Sequence, residues 1–232
     1  MRQAEGYPVH LYHRERSNRR TDPMEYSEMT LKEFISRLSC ADPVPGGGGA
    51  SALAGCLGAA LGSMVAHLTV GRRKYESVRE EMEQVIVEEE ALQDELLALI
   101  RMDAELFEPL SAAYSMPRGT QEEKDARDRV MKDALKDACQ APFQIMEKMC
   151  RALELCKTLA WKGSTAAVSD AGDAALFCKA ALQGAALNVF INTKLMKDRV
   201  LAEEYQKRAD RMLQEYVPVA DRIYEKVLEE IH

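Results

Sequence analysis

An uncharged segment of small residues, preceded by four consecutive glycines, constrains this chain more than any other feature. Residues 50–70 contain no Asp, Glu, Lys or Arg, and Gly55, Gly58 and Gly62 recur within them at near-helical spacing. A glycine inside a helix costs about 1 kcal/mol relative to alanine, so a helix with three of them needs compensation from close packing against neighbouring helices. We therefore predict that Pro45–Val70 is the buried central helix of a helical protein.

The same segment is long enough to raise the alternative of a membrane span. Ala and Gly dominate it rather than Leu and Ile, so its hydrophobicity is weak for a span. The other predicted helices are amphipathic, as a soluble bundle requires. These observations favour a soluble protein without a membrane segment.

The rest of the chain shows the 3.6-residue spacing of amphipathic helices. Thr30 with Glu33 and Thr120 with Glu123 have the spacing of capping boxes at helix starts. Gly71 is expected to end the central helix, Pro142 to break or kink a later one, and Pro218 to kink the last. The longest apolar stripe alternates steps of four and three residues: Val78, Met82, Val85, Glu89, Leu92, Leu96, Leu99, Asp103, Leu106, Leu110. The fold class predicted is all-α, a multihelical up-and-down bundle around the Gly/Ala-rich helix.

Composition limits the domain organisation and the partners. Residues 1–23 are polar and basic and lack the apolar core of a signal peptide, so we expect a flexible leader outside the fold. Residues 24–232 are long enough for one helical domain. A net charge of -7 and a pI near 5.3 argue against non-specific binding of nucleic acid. An anionic ligand would need a local basic patch.

Cysteine and histidine usage favours a cytoplasmic protein without a metal. The six cysteines form no C-x-x-C pair and mostly stand at apolar helix positions, as reduced core thiols do. His10 and His13 are the one close histidine pair, and they belong to the leader. We therefore predict no bound metal ion.

The glycine run allows two interpretations. Gly46–Gly49 at a helix start exposes free N–H groups and the positive end of the helix dipole, which suits an anion or a flat ligand. It could equally be a tight turn into a crowded buried helix. It is not a nucleotide-binding P-loop, because no Gly-Lys-Ser or Gly-Lys-Thr follows and no strand precedes it.

Five polar residues interrupt apolar stripes. A buried, unpaired Asp103 or Asp170 would have a raised pKa and could serve as a general acid or base, although an ion pair or interhelical hydrogen bond would also explain it. Asn188 and Asn192, four residues apart, suit a hydrogen-bonding heterocycle or interhelical contacts. Glu89 is expected to pair with a buried cation.

Arg72, Arg73 and Lys74 form a compact basic cluster at the end of the central helix. An arginine pair can bind a carboxylate through its fork of N–H donors. Compensation of the helix dipole is the alternative explanation.

These motifs, in this order, resemble the formiminotetrahydrofolate cyclodeaminase and methenyltetrahydrofolate cyclohydrolase family. The resemblance covers about Leu31 to the C-terminus. The chain departs from the family pattern at Gly49-Ala50, which stand before Ser51 where serine usually follows three glycines, and at Ser164, where asparagine is common. The matching residues are Pro45-Gly46-Gly47-Gly48, Ser51, Gly58–Met64, Gly71-Arg72-Arg73, Asp103-Ala104-Glu105, Phe107, Pro117, Thr120, Glu122–Asp125, Ser169-Asp170, Asn188 and Ile191-Asn192.

The resemblance implies a homodimeric enzyme that binds a tetrahydrofolate substrate in a cleft near the subunit interface. It would close 5-formiminotetrahydrofolate to 5,10-methenyltetrahydrofolate with release of ammonia, or hydrolyse methenyltetrahydrofolate to 10-formyltetrahydrofolate. Neither reaction needs a metal or redox cofactor. A helical dimer that binds folate without turning it over is the alternative from another class.

The resemblance also implies roles for individual residues. Asp103 or Asp170 would transfer the proton. Asn188 and Asn192 would orient the pterin, and Gly46, Gly47, Gly48 and Gly49, with Ser51, would line the cleft. Arg72, Arg73 and Lys124 would hold the glutamate tail, which can carry one or more glutamates. Because a helix of 20 residues is about 30 Å long, its two ends would serve one ligand only if a dimer brings opposite ends together.

Overall fold

The computed structural model describes residues 26–232 and contains seven α-helices and no strand in that range. The predicted leader, 1–23, lies outside the described residues. Short 3₁₀ helices at Tyr26–Glu28, Arg73–Val78 and Thr165–Ala167 connect the longer elements. The predicted all-α bundle is confirmed. The seven helices are α1 Leu31–Leu38, α2 Gly47–Val70, α3 Arg79–Tyr114, α4 Gln121–Asp137, α5 Gln140–Lys162, α6 Val168–Leu195 and α7 Arg199–Ile231.

Both predicted capping boxes are present. The Thr30 hydroxyl accepts the Glu33 backbone N–H at 3.3 Å, and the Thr120 hydroxyl accepts the Glu123 backbone N–H at 3.2 Å. In each box the glutamate also accepts the N–H of the threonine. These caps satisfy backbone donors that the first helical turn leaves unpaired.

Helix α2 lies at the centre and runs antiparallel to both α3 and α6. Its N-terminal end contacts Asp103 of α3 and Asn188 of α6, whereas Gly62 further along contacts Glu89. At Gly58, an added Cβ would lie 3.0 Å from the Ala174 carbonyl oxygen and 2.6 Å from the Cys178 Sγ. The backbones of α2 and α6 therefore approach so closely that only glycine fits, which confirms the predicted close packing.

The predicted stripe of α3 forms much of the core. Seven of its ten positions are buried, among them Met82, Leu96 and Leu110 with no exposed surface. Helix α5 runs antiparallel to α3, with the Lys148 ammonium 2.6 Å from the Glu95 carboxylate across the pair. Helix α7 then covers α5 and α6.

Pro142 does not break a helix at its own position. The helix break before α5 falls at residues 138–139, so Pro142 stands in the first turn of α5, where a missing N–H costs little. Helix α7 continues through Pro218 as one element. Gly71 ends α2 as predicted, with a negative φ of -71°.

Two helical stretches, Gly47–Val70 and Thr165–Leu195, are long and apolar enough by length and composition to cross a membrane. Helices at the centre of a soluble protein pass the same test. Here both stretches pack against each other and against α5. Fifteen buried alanines and glycines in α2 and α6 allow this packing.

Candidate functional site

The N-terminal end of α2 is covered by the side chain of Asp103. A Cβ added to Gly48 would lie 2.1 Å from Asp103 Oδ1, so the carboxylate lies directly on the glycine backbone. The Gly49 backbone N–H, one of the donors that the first helical turn leaves unpaired, donates to this carboxylate. The glycine run thus lets a carboxylate from α3 reach the positive end of α2.

Asp103 can take and return a proton near neutral pH. Burial raises its pKa from 3.8 to about 6, and the hydrogen bond from Gly49 limits that rise. At pH 7 the carboxylate is mostly ionised and can accept a proton. The protonated form is also accessible within one pH unit, which suits a group that must act as base and then as acid.

Helix α6 supplies a second polar group at the same place. A Cβ on Gly47 would lie 3.3 Å from Asn188 Nδ2, and this amide nitrogen donates to the Gly184 carbonyl oxygen at 2.9 Å. The Ser51 hydroxyl lies under Gly184 and donates to the Gly47 carbonyl oxygen at 2.8 Å. We call Gly46–Gly49, Ser51, Asp103 and Asn188 the Asp103 site.

The Asp103 site opens to the surface. Gly47 is exposed, and Gly46, Asp103 and Asn188 are half-buried, whereas Gly48 and Gly49 are buried behind them. A flat ligand could therefore lie against the glycine backbone with its polar edge toward the carboxylate and the amide. The structure thus brings seven of the twelve predicted site residues together.

Asn192 and Lys124 do not face this site. The buried Asn192 amide donates to the Ala138 carbonyl oxygen at 3.0 Å and so ties α6 to the junction of α4 and α5. Lys124 is exposed in the first turn of α4, near the end of α3 where Arg127 contacts Ala113. Ala113 is ten residues beyond Asp103 on one helix, a distance of about 15 Å.

Asp170, Arg72 and Arg73 lie at the opposite end of α2. Asp170 stands in the first turn of α6, eighteen residues or about 27 Å before Asn188. Arg72 and Arg73 follow the C-terminal end of α2 and are exposed. The two aspartates predicted as alternatives for proton transfer therefore lie at opposite ends of α2.

Glu89 is buried without a cation, so the expected ion pair is wrong. Its carboxyl lies against Gly62, where a Cβ would be 2.5 Å from Oε1, and neither oxygen has a hydrogen-bond partner among residues 26–232. Arg151 is engaged with Glu88, whose carboxylate accepts its Nε–H at 2.7 Å. Burial raises the Glu89 pKa to about 10, so the group is protonated at neutral pH.

A second polar cluster at the far end of α2 was not predicted. The Tyr75 hydroxyl oxygen accepts the Thr165 backbone N–H at 3.0 Å and lies 3.4 Å from the Thr165 hydroxyl. The Ser164 side chain is buried nearby, and Lys74 lies over the Tyr75 ring at 5.2 Å. Tyr75 belongs to no apolar stripe, so the only signal in the sequence was its position beside the basic cluster.

Within residues 26–232, no group of three or more His, Cys, Asp and Glu side chains is arranged to hold a metal ion. All six cysteines are free thiols, and Cys139, Cys150, Cys156 and Cys178 are buried, as predicted for core residues.

Comparisons with known proteins identify the relatives of this fold. A methenyltetrahydrofolate cyclohydrolase from Methylorubrum extorquens is 39% identical over 203 residues, which are 88% of this chain and 98% of that protein. Formimidoyltransferase-cyclodeaminase from Rattus norvegicus is 32% identical over 188 residues, which are 81% of this chain but 35% of that longer protein. This chain thus matches about a third of the rat protein.

A solved structure agrees with the sequence relatives. The crystal structure of formiminotetrahydrofolate cyclodeaminase from Thermotoga maritima superposes with a TM-score of 0.73 at 30% identity, covering 89% of this chain and 97% of that one. The family described as formiminotransferase-cyclodeaminase matches residues 30–211, a range that includes both ends of α2 and every predicted site residue. The central helix with its glycine start, the Asp103 site and these matches together show that the chain belongs to the formiminotransferase-cyclodeaminase family.

Proposed function

We propose that this chain is a folate one-carbon enzyme that hydrolyses 5,10-methenyltetrahydrofolate to 10-formyltetrahydrofolate, with Asp103 as its proton-transfer group. The observation that carries the proposal is the Asp103 carboxylate, which lies on the Gly48 backbone beside Asn188 with a pKa of about 6. The 39% identity to a cyclohydrolase over nearly its full length favours hydrolysis.

The reaction needs one group that moves a proton twice. Water adds to the carbon between N5 and N10 of the cationic substrate while Asp103 takes a proton from that water. In the tetrahedral adduct the C–N5 bond then breaks, Asp103 returns its proton to N5, and the remaining hydroxyl loses its proton as the formyl C=O forms. One proton is released overall. The carbon keeps its oxidation state, so the proposed reaction needs no metal or redox cofactor.

Cyclodeamination is the second candidate, and the Thermotoga structure supports it, because that chain of similar length is a cyclodeaminase. Here N10 would attack the formimino carbon, Asp103 would take the N10 proton, and the departing nitrogen would leave as ammonia after protonation. Both candidates pass through one tetrahedral carbon, so both use the same proton-transfer group.

The remaining site residues take the roles expected of them in this proposal. Gly46–Gly49 let the pterin approach the backbone, and the Asn188 amide orients it. Asp170, Arg72 and Arg73 join the site from a second subunit, with the two arginines on the glutamate carboxylates. Asn192 contributes by holding α6 to the start of α5.

We propose a homodimer formed through the outer face of α2 and α6. Both helices expose apolar side chains there, and the Asp103 site opens at the edge of this face. In a two-fold dimer the same face meets its copy, so antiparallel α2 helices would place the N-terminal end of one beside the C-terminal end of the other. The exposed apolar residues are Leu57, Met64, Leu68, Leu176, Phe177, Leu187, Ile191 and Leu195, each at least 39% exposed.

A reducing compartment suits the six free thiols, so the cytoplasm is the proposed location.

The test is to supply each folate separately to the purified chain. We expect loss of the methenyltetrahydrofolate absorbance with formation of 10-formyltetrahydrofolate, faster than in buffer alone. Ammonia release from 5-formiminotetrahydrofolate would instead establish cyclodeamination. Binding of both folates without turnover would replace the proposal with a non-catalytic folate-binding protein.

A further inference from the structure

The far end of α2 carries hydroxyl groups and three exposed cations, and its nearby Glu76 carboxylate is engaged with Arg79 at 3.3 Å. Ser164 is 1% exposed, and its hydroxyl has no hydrogen-bond partner among residues 26–232. Arg72, Arg73 and Lys74 are exposed beside it, and the described part of the chain gives none of them an ion pair. Three exposed cations without an ion pair in the described chain, next to the Tyr75 hydroxyl, indicate a place where an acceptor with negative charge binds.

The hydrogen bonds at Tyr75 are directed so that its own proton is available. The Tyr75 oxygen accepts the Thr165 backbone N–H, and the Ser164 side chain is close enough to interact favourably with the same oxygen. The Thr165 hydroxyl at 3.4 Å is a distant partner. The Tyr75 O–H can therefore donate to a ligand at the surface while its oxygen remains hydrogen-bonded from behind.

We propose that Tyr75, positioned by Ser164 and Thr165, forms with Arg72 and Arg73 a binding site for one carboxylate of the glutamate part of the folate. The inference rests on the proposed function, since it assigns part of that substrate to these residues. Tyr75 contacts the carboxylate, whereas Ser164 is a positioning residue that acts through Tyr75.

The electrostatics of the cluster agree with this role. Hydrogen bonds from the Thr165 side chain and then from its backbone N–H lower the Tyr75 pKa to about 8. A more acidic hydroxyl is a stronger hydrogen-bond donor, and a planar carboxylate can accept from Tyr75 with one oxygen and from an arginine fork with the other. Lys74 over the ring holds the side chain in place.

The test uses N-(4-aminobenzoyl)-L-glutamate, which carries the glutamate without the pterin, and 4-aminobenzamide, which lacks it. Affinity is measured by calorimetry or by inhibition. Tyr75→Phe should bind the glutamate compound about tenfold more weakly, because it loses one charge-assisted hydrogen bond. It should bind 4-aminobenzamide as the wild type does. Tyr216→Phe, a half-buried tyrosine on α7, is the matched control and should bind both compounds as the wild type does.

A second variant, Ser164→Ala, and a second anion, inorganic phosphate, also test the inference. Ser164→Ala alters no exposed atom, so it should fold normally and weaken the glutamate compound by a smaller factor through Tyr75. Wild-type affinity in both Tyr75→Phe and Ser164→Ala would overturn the inference. The inference would also be overturned if inorganic phosphate bound the wild type but not Tyr75→Phe and did not displace the glutamate compound. The site would then be a phosphate site.

This result is separate from the test of function. A wild-type chain that turns over neither folate refutes the proposed reaction. A folded, catalytically active Tyr75→Phe that binds the glutamate compound normally refutes only the carboxylate site.

Discussion

Two carboxyl groups on one stripe of α3 have different chemistry because different atoms face them. Asp103 lies on the positive end of α2 and accepts a backbone N–H, so its pKa stops at about 6. Glu89, fourteen residues earlier, faces Gly62 and Leu159, and its pKa rises to about 10. The first group can exchange a proton at neutral pH, whereas the second stays protonated.

Replacing Asp103 tests its proposed role as the proton-transfer group. Asp103→Asn keeps the shape and can still pack on Gly48, but it cannot take a proton, so kcat should fall by about 10² to 10⁴. KM should change much less. The measurement is loss of methenyltetrahydrofolate absorbance at constant protein concentration, with exposed Asp94→Asn on the same helix as the control.

The pH dependence of the same reaction provides a second measurement on Asp103. Because the base form is active, kcat/KM should rise with pH through an apparent pKa of about 6 and then level off. A flat profile between pH 5 and 8, or near-normal turnover by Asp103→Asn, would contradict the role.

Glu89 should make the folded state less stable as pH rises. The unfolded chain releases this proton above about pH 4.5, whereas the folded chain keeps it to about pH 10. From this group alone, the unfolding free energy should fall by roughly 1.4 kcal/mol per pH unit between about pH 5 and 9. Glu89→Gln lacks that slope, so its stability relative to the wild type should increase steadily with pH.

Urea unfolding at pH 5, 6, 7 and 8 measures this difference. Glu90→Gln, an exposed neighbour, is the control and should keep the wild-type pH dependence. Parallel stability curves for wild type and Glu89→Gln would show that Glu89 is ionised or hydrated in the folded protein.

At the scale of the helices, periodicity predicted which residues face the core but not what meets them there. The spacing of apolar residues on α3 predicted the same core-facing position for Glu89 and Asp103. Their different surroundings depend on the neighbouring helices, which the spacing does not reveal. Asn188 and Asn192 stand four residues apart on α6, yet one faces Gly47 and the other the Ala138 carbonyl oxygen. Tyr75 follows α2 in a 3₁₀ helix and belongs to no stripe, so its contact with Thr165, ninety residues away, had no local signal.

The close approach of α2 and α6 gives a prediction at this scale. In Gly58→Ala the new methyl would meet the Ala174 carbonyl oxygen at 3.0 Å, a backbone atom that cannot rotate away, so the helices must separate. We expect a loss of about 1–3 kcal/mol in unfolding free energy despite the better helix propensity of alanine. Gly71→Ala, whose new methyl would meet its nearest atom at 3.8 Å, should be near neutral in the same urea titration. Equal stability of the two variants would contradict the close packing.

At the scale of the whole molecule, the separation of Asp103 from Asp170 raises the question of what a single subunit can do. Asp170 is about 27 Å along α6 from Asn188, which lies beside Asp103. At that distance the two aspartates of one chain cannot contact the same substrate atoms. The exposed apolar side chains on the outer face of α2 and α6 offer a physical reason for a second copy, because large exposed apolar patches are typical of interfaces.

A charge on that face should separate the subunits. Leu187→Glu places a carboxylate at a side chain that is 67% exposed in one subunit and would be buried between two. We expect sedimentation velocity to show a dimer for the wild type and a monomer for Leu187→Glu. Val87→Glu, at a similarly exposed apolar side chain on α3, should leave the dimer intact. A wild-type monomer at micromolar concentration would rule the dimer out.

Mixing two inactive variants tests whether the dimer completes the site. If each site takes Asp103 from one subunit and Asp170 from the other, Asp103→Asn and Asp170→Asn should each be inactive. A dimer of one of each then has one site with both substitutions and one with neither. After the subunits exchange, about half the dimers are mixed and half of their sites are intact, so turnover should recover to about a quarter of the wild type. A site within one subunit would show no recovery, and near-normal turnover by Asp170→Asn alone would remove that residue from the reaction.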